Sequence, residues 1–348
     1  MDLEKRIIAF TKLGNCLHDS KNKAFDTVIY NASKQNGWFT EENVRLVMAS
    51  LGEMLKEEKI REWISEYKEL KTENPKPKKI GVIMAGNIPL VGFHDFLCIL
   101  MSGNIFAGKL ATDDQYLLPA LAKTLKEIEP GFKDRIHFTD LPFNKTPDIS
   151  AFIATGSNNS ARYFEYYFKK YPHIIRKNRN AVAILDGNET DADLKNLGKD
   201  IFQYFGMGCR NVSKMYIPQG YNLDKFFEAI VDFGDVINHN KYYNNHQYYR
   251  TIYLLNNEKF LDNNFLMLKE SEQIASPVAT LYYERYKNEN DLFKQLTSCA
   301  DQIQCIVSHH RVPSPLERVR VKSGNAQSPE LWDYADGVDT MEFLCSLK

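Results

Sequence analysis

The heptapeptide Phe205-Gly206-Met207-Gly208-Cys209-Arg210-Asn211 sets a thiol among two glycines and an arginine. Glycine serves where the backbone must take φ > 0 or pass close to another group, so this segment can carry its cysteine on a sharp turn. A thiol beside a cation and exposed backbone N–H groups can be held as thiolate, the nucleophilic form. The same residues also suit a buried cysteine next to a tight turn, and the heptapeptide alone leaves both readings open. Cys98, between Leu97 and Ile99, and Cys305, within the strand-like run 304–307, have no glycine-shaped approach and read as core residues. His309-His310 has no Cys or carboxylate at metal-ligand spacing, so no metal centre is expected.

Three further segments hold groups able to bind or polarise a ligand. Gly86-Asn87-Ile88-Pro89 follows the apolar run Ile80 to Met84. Ligands of open α/β sheets bind outside the carboxyl ends of strands, where the Asn87 amide could donate to an oxyanion. Asn87 equally suits a turn that uses its side chain locally. Ala107-Gly108-Lys109-Leu110-Ala111-Thr112 ends a second apolar strand with a lysine that could meet phosphate or ribose hydroxyls, or simply face solvent. Thr155-Gly156-Ser157 closes a third strand and opens a helix. Free N–H groups at a helix start can bind a pyrophosphate, and a plain Ser cap has the same pattern.

These groups need elements to hold them. Residues 1 to about 72 show helical spacing, as in Val44, Met48, Leu51 and Leu55, with Thr40-Glu41-Glu42 as a helix start. Glu73 to Lys79 is a polar, proline-punctuated connector. Beyond it, buried-strand runs (80–84, 105–107, 149–154, 181–185, 215–217) alternate with helices at 93–101, 117–128, 194–205 and 223–231. That alternation implies βαβ units and a mostly parallel sheet. The tyrosine-rich run 242–250 reads as a surface helix or loop with some tyrosines buried.

Composition narrows the class. With 44 Lys+Arg against 45 Asp+Glu, no basic field invites nucleic acid. Six irregularly spaced cysteines do not form a disulfide framework and fit a reducing compartment. The longest apolar stretch, Phe93 to Met101, contains Asp95 and is too short to span a bilayer. Residues 1–6 lack a signal-peptide core, so a cytoplasmic protein is expected.

Asn87, Lys109, Gly156-Ser157 and Cys209 stand in an order that resembles the landmarks of the aldehyde dehydrogenase superfamily. Asp191-Ala192-Asp193-Leu194 resembles that family's approach to its nucleophile, and Ser276-Pro277-Val278 resembles its later Gly-Pro-Val strand. The likeness covers about residues 80 to 300. The Gly86–Pro89 loop and the Gly208-Cys209-Arg210 context look most like the long-chain fatty acyl-CoA reductases of luciferase operons, the LuxC type.

The resemblance implies an α/β fold of two Rossmann-like domains behind an N-terminal helical segment. Expected bounds are 1–78 for that segment, 79–180 for a dinucleotide-binding domain and 181–310 for a catalytic domain. Residues 311–348 would return to the cofactor domain or to an oligomer interface. It also implies Cys209 and Asn87 as catalytic residues, with Lys109, Thr112, Thr155, Gly156 and Ser157 around the cofactor. Hydrolytic members carry a general-base Glu where this chain has Ile175, so an acyl-enzyme here would exchange with a thiol instead of water. The neutral Thr112 stands where NAD-preferring relatives commonly have an acid, which implies NADPH, with NADH the alternative. The expected substrate is a fatty acyl-CoA or another acyl thioester, with an acyl-transferring partner protein and a homo-oligomer as expected partners. Two other classes remain open: a cysteine-dependent acyltransferase or thioesterase without nicotinamide, and a non-catalytic partner subunit.

Overall fold

The structure is a computed structural model that describes residues 1–18, 23–71, 76–140 and 148–347. Glu73, Asn74 and Pro75 of the expected connector lie outside the described residues. The chain divides into two compact units, Met1–Asn178 with Glu330–Lys348, and Arg179–Pro329.

The first unit opens with helices α1 (Leu3–His18), α2 (Asp26–Gln35), α3 (Glu41–Met54) and α4 (Glu57–Ser65). Thr40 caps α3, its hydroxyl accepting the Asn43 N–H at 3.2 Å. The buried faces of these helices, such as Phe10 and Leu13 of α1 and Val44 and Met48 of α3, join one apolar core with α5 (Phe93–Met101) and α6 (Leu117–Ile128). The sheet has the order β3-β2-β1-β4-β5. Its strands are β1 (Lys79–Ile83), β2 (Ile105–Lys109), β3 (Ile136–Phe138), β4 (Ile149–Thr155) and β5 (His173–Arg176), all paired in parallel. Helix α7 (Asn158–Phe168) supplies Phe168 to a second apolar cluster with Phe152 and Ala154. Parallel pairing puts the carboxyl ends of β1, β2 and β4 on one edge.

The last segment belongs to this unit. Leu331, Met341 and Leu344 enter its core, the last two from α12 (Thr340–Ser346). Tyr334 accepts from Trp63 Nε1 at 2.6 Å, and Tyr67 donates to Asp339 at 2.7 Å. Beneath them Arg176 of β5 pairs with Asp95 of α5 and donates to Thr340 Oγ1 at 3.0 Å. Both partners of this ion pair are buried, so each charge is compensated almost wholly by the other.

The second unit holds a seven-stranded sheet of order β12-β11-β6-β7-β10-β9-β8. The strands are β6 (Asn180–Ile184), β7 (Val212–Pro218), β8 (Leu261–Asp262), β9 (Met267–Glu270), β10 (Thr280–Tyr286), β11 (Ile303–Val307) and β12 (Arg320–Val321). Only the β8–β9 pair is antiparallel among them. Helices α8 (Asp191–Phe202), α9 (Leu223–Ala229), α10 (Asn240–Leu255) and α11 (Glu289–Ser298) connect them. The tyrosine-rich run falls in α10, with Tyr242 and Tyr253 buried.

Two local expectations need correction. Ser276-Pro277-Val278 is a turn and not a strand: Thr280 N–H bonds back to Pro277 O at 3.0 Å, Ala279 has φ of 64°, and β10 begins only at Thr280. Proline has no N–H to give a ladder. The helix expected over 194–205 starts earlier, at Asp191, under a capping box between Thr190 and Asp193, and stops at Phe202.

Removing Asp95 strands a buried guanidinium. Asp95→Ala should cost about 3–5 kcal/mol in denaturant unfolding followed by tryptophan fluorescence. The double change Asp95→Leu with Arg176→Met should cost clearly less, since it leaves no unpaired charge.

Candidate active site

The cysteine expected to act is exposed, whereas Cys98 and Cys305 are buried. Its setting is built by the end of α8. After Phe202 the chain turns through three successive residues of positive φ: Tyr204 at 52°, Phe205 at 58° and Gly206 at 76°. For Gly206 this conformation is free, but for two aromatic residues it is strained and must be held from outside. Phe205 is held by stacking on His239, ring centroids 4.2 Å apart. Tyr204 is held by burial at 5% exposure.

Asn211 fastens the turn. Its buried amide donates to the carbonyls of Asp200 at 3.0 Å, Ile201 at 3.4 Å and Gln203 at 2.8 Å. Its Oδ1 accepts the Gly208 N–H at 2.8 Å. One side chain therefore satisfies the open carboxyl end of α8 and fixes the residue just before Cys209. Arg210, the cation beside the thiol, donates through Nε to Ala326 O at 2.5 Å, so a main-chain tether is one of its roles. Asp200 secures the same loop, accepting from Gly324 at 2.6 Å and Ala326 at 3.0 Å. Burial pushes the Asp200 carboxyl up to about 6, while these two N–H donors and Arg210 pull it back. Cys209 thus stands at the amino end of β7, not at the carboxyl edge where α/β sheets usually bind ligands.

The other expected residues lie in the first unit, and the fold gathers them on one sheet edge. Asn87 is exposed in the loop after β1. Lys109 ends β2, its carbonyl accepting the Met84 N–H at 3.2 Å, and Thr112 is exposed just beyond. Gly86 has to be glycine, because a Cβ there would stand 2.6 Å from Ala111 Cβ. Thr155 ends β4, and Gly156-Ser157 leads into α7. The Ser157 hydroxyl accepts the Ser160 N–H at 3.2 Å, so it caps the helix whose N-terminus faces this edge. One cation, neutral hydroxyls and a helix N-terminus form a donor set that fits the phosphates and ribose of a dinucleotide. Ile175 packs against the Phe152 and Phe168 cluster. His309 and His310 each meet a carboxylate, Asp193 at 3.3 Å and Asp186 at 2.5 Å.

Reading the sequence missed the supporting residues Asn211, Asp200 and Asp114. Asp200 had a visible signal: it lies three residues after Leu197 on the apolar stripe of α8, where a carboxylate needs a partner. Asp114 is likewise buried, and burial pushes its carboxyl up to about 6 against the N–H groups of Leu90 and Leu117.

These features define an α/β oxidoreductase of the aldehyde dehydrogenase fold. The model of the acyl-CoA reductase (LuxC) family matches residues 15–229, more than half of the chain, and the chain belongs to that family. Solved structures share the fold at low identity. Aldehyde dehydrogenase 21 from Physcomitrella patens, in complex with the reaction product succinate, aligns with a TM-score of 0.71 at 13% identity, over 99% of this chain and 84% of that one. An E. coli NADP dependent enzyme gives 0.65 at 14%, over 94% and 76%. A Mycobacterium tuberculosis aldehyde dehydrogenase complexed with NAD+ gives 0.63 at 14%, over 88% and 73%. No curated protein sequence matches. No described helix is long and apolar enough to cross a membrane.

Asn211→Ala should lower stability by about 1–3 kcal/mol for the orphaned Gly208 N–H alone. It should also change the alkylation rate of Cys209, read by mass spectrometry of iodoacetamide-treated protein. The Asp200 carboxyl titrates higher folded than unfolded, so its ionisation weakens the fold as pH rises from about 4 through 6. The Tm difference between Asp200→Asn and the parent should therefore become more favourable to the variant from pH 4 to pH 7.

Proposed function

We propose that this protein reduces a fatty acyl-CoA to the aldehyde with NADPH, through an acyl thioester on Cys209. The observation that carries this is the exposed thiol on a turn fixed by Asn211, in a chain of the acyl-CoA reductase family. An exposed, strained and rigid turn costs stability that a structural cysteine would not require.

In this reading the Cys209 thiolate attacks the thioester carbonyl. The oxyanion takes hydrogen bonds from the Asn87 amide and the Cys209 main-chain N–H. Collapse breaks the bond to CoA, which leaves as thiolate and keeps the electron pair. The acyl-Cys209 carbonyl then accepts a hydride, and the same donors hold the second oxyanion. Its collapse breaks the carbon–sulfur bond, releases aldehyde and restores the Cys209 thiolate. A bound nicotinamide supplies that hydride. Lys109, Thr155, Gly156 and Ser157 would hold the dinucleotide, and the neutral Thr112 leaves room for a 2′-phosphate. Ile175 offers no carboxylate to activate water, which favours reduction of the acyl-enzyme over its hydrolysis.

NADPH oxidation measured against acyl-CoAs from short to long chain tests the reaction, with loss of signal when acyl-CoA is omitted. Cys209→Ala should abolish turnover and trapping of radiolabelled acyl group. Label on Cys98 or Cys305, or normal activity in Cys209→Ala, overturns the assignment. Asn87→Ala should lower kcat by about 10²–10³ while NADPH still binds. Acyl-CoA cleavage with no NADPH consumption would point to a thioesterase instead.

A further inference from the structure

A buried carboxylate stands behind the Asn87 loop, and the proposed reaction has no step for it. Asp114 is 8% exposed, in the loop after β2. Its Oδ2 accepts the Leu90 N–H at 2.9 Å. Its Oδ1 is buried with no partner. Leaving one oxygen of a buried carboxylate unpaired is costly, and proteins keep such costs where something else requires them.

The residue it holds is strained as well. Leu90 has φ of 56°, in the left-handed region where a side chain is disfavoured. It is also 4% exposed, so its side chain is anchored in the core while its backbone is held by Asp114. The loop that carries Asp114 is itself tied down. Gln35 at the end of α2 donates to Thr112 O at 2.7 Å, and Asn36 donates to Asp113 O at 3.4 Å. The Asp114 N–H closes a turn on Ala111 O at 3.2 Å, opposite the close approach of Gly86. The segment Gly86–Leu90 is therefore bonded to the 111–114 loop at Leu90 and lies close against it at Gly86, and Asn87 stands between these two points, exposed.

We propose that Asp114 is a positioning residue for the reaction: through the Leu90 N–H it fixes where the Asn87 amide stands. The proposal rests on the reading of Asn87 as oxyanion donor. Asp114 touches no substrate in this scheme and acts through the loop alone. A residue that only supported the fold would slow the enzyme equally whether or not Asn87 kept its amide.

The test is a double-mutant cycle in the full chain, with NADPH and the acyl-CoA on which the parent turns over fastest. Asp114→Ala should lower kcat at least tenfold. The acyl-CoA KM and the NADPH dissociation constant, read by nucleotide fluorescence, should each stay within threefold. Asp114→Asn keeps an acceptor for the Leu90 N–H and should restore most of the loss. In the Asn87→Ala background, Asp114→Ala should add no further loss in kcat. Equal losses in both backgrounds, or parental kcat in Asp114→Ala, overturn the proposal while leaving the Asn87 reading intact. Parental kcat in Asn87→Ala alone overturns that reading, and the proposal with it. Should Asp114→Ala not fold, Asp114→Ser carries the same expectations, since its hydroxyl is too short to reach Leu90.

Discussion

The amide of Asn211 is the interaction on which the thiol's presentation depends. A helix ends with open carbonyls that need donors, and the turn that follows α8 runs through three left-handed residues. Asn211 supplies them from beyond the cysteine, and its oxygen takes the Gly208 N–H in return. The chain is thereby pinned on both sides of Cys209. Strain in Tyr204 and Phe205 is tolerated because this amide and the His239 ring over-determine the backbone there.

Buried carboxylates recur as the means of fixing loops. Asp200 holds the segment from Gly324 to Ala326, Asp114 holds Leu90, and Asp95 holds Arg176 beneath the last helix. The three are satisfied differently. Asp95 has a full counter-charge, while Asp200 and Asp114 lean on backbone N–H groups, which offset burial only in part. Burial therefore pushes both carboxyls up to about 6, and their ionisation as pH rises costs the fold stability. Asp114 sits under the loop that carries Asn87, and the Asp200 main-chain carbonyl takes the Asn211 amide close to Cys209.

The division of labour between the units follows from sheet geometry. In the first, parallel strands deliver Asn87, Lys109 and Ser157 to one carboxyl edge, as βαβ connectivity requires. In the second, the cysteine comes from a helix-to-strand turn at the opposite end of its strand. The end of α8, capped by Asn211, gives Cys209 an exposed perch there.

Much of this was legible in the chain of residues. Helical spacing placed α3 and α6, continuous apolar runs placed β1, β4 and β6, and the order Asn87, Lys109, Ser157, Cys209 led to the family. These signals are local, since burial period and cap chemistry act within a few residues. What only the tertiary structure decided lies between residues far apart. Arg176 finds Asp95 across 81 positions, and Asp200 finds Gly324 across 124. The end of α8 at Phe202 and the turn at Pro277 also ran against local expectation. At the end of α8 the backbone is set by partners such as Asn211 and His239, and packing energy outweighs the small intrinsic preference of any residue for helix or strand.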